Sequence, residues 1–283
     1  MSHGNTLQAK KSYDRISPTA WLIAEARTFS DIPYSREIFD ALGKISKPER
    51  SLAEGYPRAM FCRLEARYKL VNLLIAEQDT LQILELASGF SPRGLSMTQA
   101  PAADYVEIDL PGIISQKRQI FAIIKQIPPQ NLHLESGSAL DRNDILRAVR
   151  YFNRGKKIIV INEGLLRYLS FDEKKAVAAN VATLLKKFGG VWITPDVTVS
   201  VFTRRESIVE KTKYLTGVDV SKNTFENMEE AKAFFENLGF SVEVHKFSEV
   251  KESLVSPAKF GLSENNLDDV LRDGHAFVMR LKC

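Results

Sequence analysis

Apolar residues recur at helical spacing over roughly the first eighty positions and at strand spacing afterwards, which predicts a helical layer followed by an alternating α/β core. Thr19 to Arg27, Tyr34 to Leu42 and Arg58 to Glu77 each carry an apolar face, and Pro18, Pro33, Pro48 and Pro57 punctuate them. No Gly/Ser-rich linker separates these helices from the first strand, so they read as a layer on the core and not as a separate domain. From Leu81 onward strands are predicted near 81–86, 104–108, 131–135, 157–162, 190–194, 241–247 and 275–282, with helices in the gaps. The best delimited helix starts at Ser170, forms a capping box with Glu173, and runs to Lys186 and Lys187 before Gly189 and Gly190 end it. Another covers Glu229 to Leu238 and stops at Gly239. The last two strands are joined without an obvious long helix, which suits an antiparallel pair at the sheet edge. Residues 197–226 break the alternation and read as an inserted lid over the strand ends. The expected fold is α/β: a doubly wound, mostly parallel, Rossmann-like sheet of seven strands in a single domain. Its parts are a helical layer over 1–78, a cofactor-binding core over 79–196, the candidate lid, and the C-terminal part of the sheet over 227–283.

Composition narrows the partners. Lysine plus arginine number 39 against 35 aspartates and glutamates, and the small excess is spread along the chain, which does not imply nucleic acid. The densest basic stretch, Arg147 to Lys157, reads as a solvated helix end. Only Cys62 and Cys283 occur, with no spacing for a disulfide framework or a zinc site, and the four histidines lie far apart, so no metal site is expected. The first residues are polar and no apolar run approaches the ~20 residues needed to cross a bilayer, so the expectation is a cytoplasmic protein without a membrane partner.

The chemistry gathers at three strand ends. The run Gln82 to Ser91 ends an apolar strand in Glu85 and then a turn of small residues, Ala87, Ser88 and Gly89. Such a turn lets backbone N–H groups approach a nucleotide-like ligand, while the acid meets an amino or hydroxyl group. A pyrophosphate-binding G-x-G-x-x-G would want glycine near 87, 89 and 92, where the chain has Ala87, Gly89 and Pro92, and this favours a ligand without phosphates. The second stretch, Tyr105 to Pro111, carries Glu107 and Asp109, placed where doubly wound sheets bind ribose hydroxyls. The third, Ile158 to Leu169, is a buried strand followed by Asn162, Glu163, Gly164 and Tyr168. Helix caps and ordinary packing also account for each of these residues singly. Together they put carboxylates from strand ends one, two and four into one crevice.

These segments resemble the leucine carboxyl methyltransferase family, including its tetracenomycin-type polyketide members. The family's L-G-A-G-x-D-x-R turn appears as Leu86 to Arg93, its Y-x-E-V-D-x-P block as Tyr105 to Pro111, its G-D-L-like turn as Gly137 to Leu140, and its E-G-x-x-x-Y-L block as Glu163 to Leu169. Arg15 to Ala20 is similar to the family's N-terminal segment, and the likeness spans about residue 13 to at least 190. The resemblance implies a class I methyltransferase fold and S-adenosyl-L-methionine as cofactor. It further implies that Arg63, with Arg67 as the alternative, grips the methionine carboxylate. Ala87 and Gly89 would give backbone contacts, Asp109 would bind ribose, and Ser138 and Ala139 would line the adenine edge. Glu163 would meet the methionine amino end and Tyr168 would face the transfer site. The chain departs from the family at Ala87 for glycine, Ser91 for aspartate and Ser138 for an acid. The activity this implies is O-methylation of a carboxyl, or less readily a hydroxyl, of a small molecule. A carboxylate is already anionic at neutral pH, which suits motif segments that lack histidine. The competing expectations are a non-catalytic S-adenosylmethionine-binding or partner-binding protein and a nicotinamide-dependent oxidoreductase.

Overall fold

In the computed structural model, which describes residues 17–45, 56–99, 103–197, 199, 210, 213, 214 and 217–282, strand alternation sorts apolar side chains onto two faces of one sheet. Ile83, Tyr105, Leu134, Ile159, Ile161, Val191, Ile193 and Val278 face one way. They pack on the helices α1 (Ser17–Arg27), α2 (Ser35–Ile45), α3 (Arg58–Ala76) and α5 (Pro111–Ile123). Leu84, Leu86, Val106, Ile108, Ile158, Val160, Trp192, Phe277 and Met279 face the other way, onto α6 (Arg142–Ala148), α7 (Phe171–Phe188) and α8 (Met228–Asn237). The period of two in each strand is thus what makes two helical layers possible. The expected N-terminal helical layer covers the first of these faces, and Leu70, Val71 and Leu74 of α3 are wholly buried there. Each contributes roughly 1.5–3 kcal/mol by leaving water.

The strands are β1 (Gln82–Leu86), β2 (Asp104–Asp109), β3 (Leu132–Ser136), β4 (Ile158–Asn162), β5 (Gly190–Thr194), β6 (Phe240–Lys246) and β7 (His275–Leu281). Their order is β3-β2-β1-β4-β5-β7-β6, and only β7 runs antiparallel to its neighbours. The seven strands and the antiparallel terminal pair agree with the sequence pattern; the last strand inserts between the fifth and sixth. The link from β6 to β7 holds no long helix. It is a 3-10 stretch, Phe247–Ser253, followed by α9 (Ser256–Phe260) and α10 (Glu264–Leu271).

Two local features set the register. The predicted capping box is formed: the Ser170 hydroxyl accepts from the Glu173 amide at 3.3 Å, and the Glu173 carboxylate accepts from the Ser170 amide at 2.8 Å. At the other end of α7, Gly190 opens β5 with φ 105°, and an added Cβ there would strike the Ile158 carbonyl. Only glycine lets β5 lie against β4 at that point. Half of the candidate lid, 197–226, lies outside the described residues, as does Arg15. The described part returns through a 3-10 turn, Val220–Asn223, and a bridge between Val199 and Phe225. Among the described residues no helix is long and apolar enough to cross a membrane.

Candidate active site

The order of strands reverses at β1: β2 and β3 lie to one side, β4 and β5 to the other. Parallel α/β sheets bind ligands in the crevice at the carboxyl end of such a reversal. Leu86 is level with Ile108 and with Asn162, so the next residues, Asp109 and Glu163, flank Ala87 from its two sides. Ala87 and Gly89 both adopt left-handed backbone, φ 51° and 54°. The turn is held by Asp109, whose Oδ2 accepts from the Gly89 amide at 2.6 Å while Oδ1 accepts from the Leu110 amide at 2.7 Å. Burial raises the Asp109 pKa, and these two N–H groups oppose the rise. The Gly137 amide donates to the Asp109 carbonyl at 2.9 Å, which carries the next loop to the same place. There the Ser138 amide donates to Asp144 Oδ2 at 2.9 Å, and the Ala139 carbonyl accepts from Asn180 Nδ2 at 2.9 Å. Ala87, Gly89, Asp109, Ser138 and Ala139 therefore share one rim.

On the β4 side the chemistry is a buried ion cluster. Glu163 accepts from Arg27 Nη2 at 3.0 Å and Arg67 Nε at 3.1 Å through Oε1, and from Arg93 Nη2 at 2.8 Å through Oε2. Its side chain is 3% exposed. Burial alone would raise its pKa, but Arg67, Arg27 and Arg93 outweigh it and hold the carboxyl well below the usual range. Arg93, on the short helix α4 (Arg93–Met97), also donates to Glu85 at 2.7 Å and to Asn72 at 2.8 Å, and lies 4.2 Å over the Tyr68 ring. Arg27 sits 5.1 Å over the same ring. Three guanidinium groups face two carboxylates, so the cluster keeps one uncompensated positive charge.

The structure corrects several sequence expectations. Glu85 is not open to a ligand: it is 1% exposed, with one oxygen on Arg93 and the other accepting from the Tyr105 hydroxyl at 2.8 Å. It acts at a remove, by holding the arginine that holds Glu163. Arg63 is turned away from the rim, donating to the carbonyls of Val270 at 2.7 Å and Asp273 at 2.9 Å with Phe247 beneath it. Arg67, one helical turn on, reaches Glu163 instead. Glu107 belongs to the interior, fully buried and paired with Lys117, and burial pushes its pKa to about 7 despite that partner. Ser91, where the family has aspartate, caps the Arg93 amide at 3.3 Å.

Sequence reasoning missed Arg27 and Asp196, and it placed Arg93 in the Leu86 to Arg93 block without giving it a role. Asp196, just past β5, accepts from Asn162 Nδ2 at 2.9 Å and from the amides of Gly164, Leu165 and Leu166 at 2.7, 2.5 and 3.1 Å. It fixes the loop that carries Glu163 and the 3-10 turn Leu166–Tyr168. Tyr168 is 9% exposed, and its carbonyl accepts from Asn223 Nδ2 at 3.2 Å. Lys174 pins the same region, donating to the carbonyls of Leu169 at 2.5 Å and Asn223 at 2.8 Å. Burial lowers the Lys174 pKa to about 8, against the opposing pull of Asp196 and Glu173. A surface depression of about 420 Å³ lies between α3 and the 3-10 stretch Phe247–Ser253, with Leu73 and Ser253 among its walls. It contains none of the rim residues.

Comparison with known proteins gives a family match and a shared fold. A family model described as leucine carboxyl methyltransferase matches residues 17–182. No curated protein matches the chain. Among solved structures, a DUF574 family protein from Streptomyces avermitilis superposes with a TM-score of 0.59 at 14% identity, covering 94% of this chain and 97% of that one. Magnesium protoporphyrin IX methyltransferase from Synechocystis, solved with bound SAH, gives 0.50 at 9% identity, covering 89% and 96%. At such identities the likeness speaks for the fold, the seven-stranded sheet of class I methyltransferases.

Proposed function

The chain belongs to the leucine carboxyl methyltransferase family, and from that premise we propose that it is an S-adenosylmethionine-dependent O-methyltransferase acting on the carboxyl group of a small molecule. The observation that carries the proposal is the rim itself: a small-residue turn in left-handed backbone, Asp109 beside it, and a buried arginine cluster with charge to spare. Those residues fit the cofactor. Asp109 is positioned for the ribose, Ser138 and Ala139 for the adenine edge, and Arg27 and Arg67 for the methionine carboxylate, which would offset the cluster's excess positive charge. Glu163 would then meet the amino end as its arginines turn toward that carboxylate.

When bound, the cofactor supplies a methyl group activated by a positive sulfonium. What remains for the chain is to bind, align and exclude water, since in-line transfer needs an oxygen about 3 Å from the methyl carbon. A carboxylate acceptor needs no base, because it attacks as the anion and ends as a neutral ester. Tyr168, on the turn fixed by Asp196, is the residue proposed to orient the acceptor. Calorimetry with S-adenosylhomocysteine tests the reading: saturable one-to-one binding supports it, and the absence of heat at any attainable concentration refutes it. The saturation of Glu163 by three arginines favours a second reading, a binder without turnover. Binding of S-adenosylmethionine with no methylated product over a broad panel of acids would decide for it.

A further inference from the structure

Behind the small-residue turn lies a buried ion pair that takes no part in the rim, Glu107 of β2 and Lys117 of α5, 0% and 1% exposed. Glu107 is level with Glu85 on β1, and alternation puts both on the face that also carries Tyr105. Neighbouring strands are about 4.8 Å apart, so the two carboxylates stand side by side. Glu85 is answered by Arg93 and by the Tyr105 hydroxyl, whereas among the described residues Glu107 has Lys117 alone as its cation. The Glu107 carboxyl lies against Gly94 of α4, where an added Cβ would overlap it. Both Glu107 oxygens, Lys117 Nζ and the Ser88 hydroxyl are buried without a well-directed hydrogen bond. Buried polar atoms left in this state are costly, so the pair is a poor device for stability alone.

The pair reaches the rim by two routes. Ser88 sits between Ala87 and Gly89; its amide donates to the Ile108 carbonyl at 3.4 Å and its carbonyl accepts from the Ser91 amide at 3.0 Å, which ties the turn to β2 and to the start of α4. Burial raises the Glu107 pKa to about 7, Lys117 opposes the rise, Glu85 adds to it, and the Ser88 hydroxyl beside the carboxyl opposes it again. The second route is Asp109, two residues on: burial raises its pKa, and the Gly89 and Leu110 amides and then Lys117 oppose that rise. Of the other groups around Glu107, Glu85 is paired with Arg93, and burial pushes the Tyr105 phenol well above its ordinary value. On β3, apolar Leu134 is level with Glu107, and His133 points to the opposite face.

Resting on the methyltransferase reading, we propose that Glu107 and Lys117 are positioning residues for the cofactor turn: the ionised carboxylate holds Ser88, and through it the Ala87–Gly89 backbone, in the form that receives S-adenosylmethionine. Ionised, Glu107 offers acceptor oxygens to Lys117 and to the Ser88 hydroxyl. Protonated, it turns one oxygen into a donor, so Ser88 must reorient, and Lys117 becomes a buried cation without its counter-charge beside the acid that holds the Gly89 amide. Cofactor binding therefore draws on the ionised form and sends the Glu107 proton to solvent.

Calorimetry of the full chain with S-adenosylhomocysteine tests this without an acceptor. With only the ionised form competent and half of the carboxyls ionised near pH 7, affinity should rise by about tenfold from pH 6 to 8. Binding at pH 7 should release about half a proton, read by repeating the titration in buffers of different ionisation enthalpy. Glu107→Gln should bind across this range about as weakly as wild type does at pH 6, and its proton release should fall by that half. The ligand's own amino group titrates alike in both proteins, so the difference belongs to Glu107. Lys117→Met, which serves even where Glu107→Gln does not fold, removes a group that lowers the Glu107 pKa, and the rise in affinity should move above pH 7. Wild-type affinity that is flat from pH 6 to 8 overturns the proposal without any variant. So does an unchanged pH profile in Glu107→Gln, which would give the titration to Asp109, or one left in place by Lys117→Met. In each of those cases S-adenosylhomocysteine still binds and the methyltransferase reading stands. Failure to bind it at any pH sinks that reading and the positioning role with it.

Discussion

Replacing Glu163 with Gln keeps the shape of the side chain and removes its charge, leaving Arg27, Arg67 and Arg93 to share Glu85 alone. The cluster's imbalance then doubles from one positive charge to two, in a place where the Glu163 side chain is 3% and Arg93 0% exposed. Breaking a buried ion pair from one side costs about 3–5 kcal/mol. With an unfolding entropy near 2.1 cal/mol/K per residue, a chain of 283 residues changes Tm by roughly 1.7 °C per kcal/mol, so the variant should melt about 5–8 °C below wild type at pH 7. The pH dependence adds a signed test. Glu163 has a folded-state pKa held below its ordinary value of 4.5, so its stabilisation is complete above about that pH and is lost as pH falls through the folded value. The gap between wild type and Glu163→Gln should therefore stay level from pH 8 to about 5 and narrow in stronger acid. Differential scanning calorimetry across pH 3 to 8 measures both features. A gap under about 1 °C at pH 7, or one that widens on acidification, would refute the claim that this carboxylate neutralises the arginines.

Single contacts give four further expectations. Ala87 occupies left-handed backbone at φ 51°, so Ala87→Gly should gain up to about 1 kcal/mol, seen as a small rise in Tm, and a fall would contradict the strain. At Gly94 an added methyl would overlap the Glu107 carboxylate and come within 2.9 Å of Leu132 Cδ1; Gly94→Ala should lose about 1–3 kcal/mol in urea unfolding, and an unchanged midpoint would show that the carboxylate moves aside freely. Lys174 has a folded pKa of about 8 against 10.5 unfolded, so between those values the unfolded chain holds more protons and stability rises with pH. Tm measured from pH 7.5 to 10.5 should climb more steeply in wild type than in Lys174→Met, and identical slopes would remove Lys174 as the cause. Arg67→Ala should weaken S-adenosylhomocysteine by about tenfold or more in calorimetry while Arg63→Ala leaves it near wild type; the reverse order would return the methionine carboxylate to Arg63.

The fold was legible because its signals are local. Ile83, Leu84 and Leu86 divide between two faces whatever lies beyond them, and Ser170 with Glu173 writes a helix start in four residues. The same held for the rim turn, since Ala87, Gly89 and Asp109 lie in short blocks that the fold then places side by side. Choosing between Arg63 and Arg67 was beyond the sequence. Four residues apart on α3, they share a face and differ by about 6 Å along the axis, and only the packing of α10 and the loop after it decides which guanidinium meets Glu163. Glu85 misled for a related reason: a strand-end acid reads as open to a ligand until Arg93, eight residues later, is seen to cover it. Arg27 and Asp196 sit in no recognisable block, and their partners lie 136 and some 30 residues away, so no local pattern announces them.

Crystals soaked with S-adenosylhomocysteine test most directly whether this rim holds the cofactor. Difference density should run from the Ala87–Gly89 turn past Asp109, with the ribose on Asp109 and the carboxylate against Arg27 and Arg67 displaced from Glu163. Density elsewhere on the molecule, or Arg27 and Arg67 still closed on Glu163 with an empty rim at saturating ligand, would contradict it.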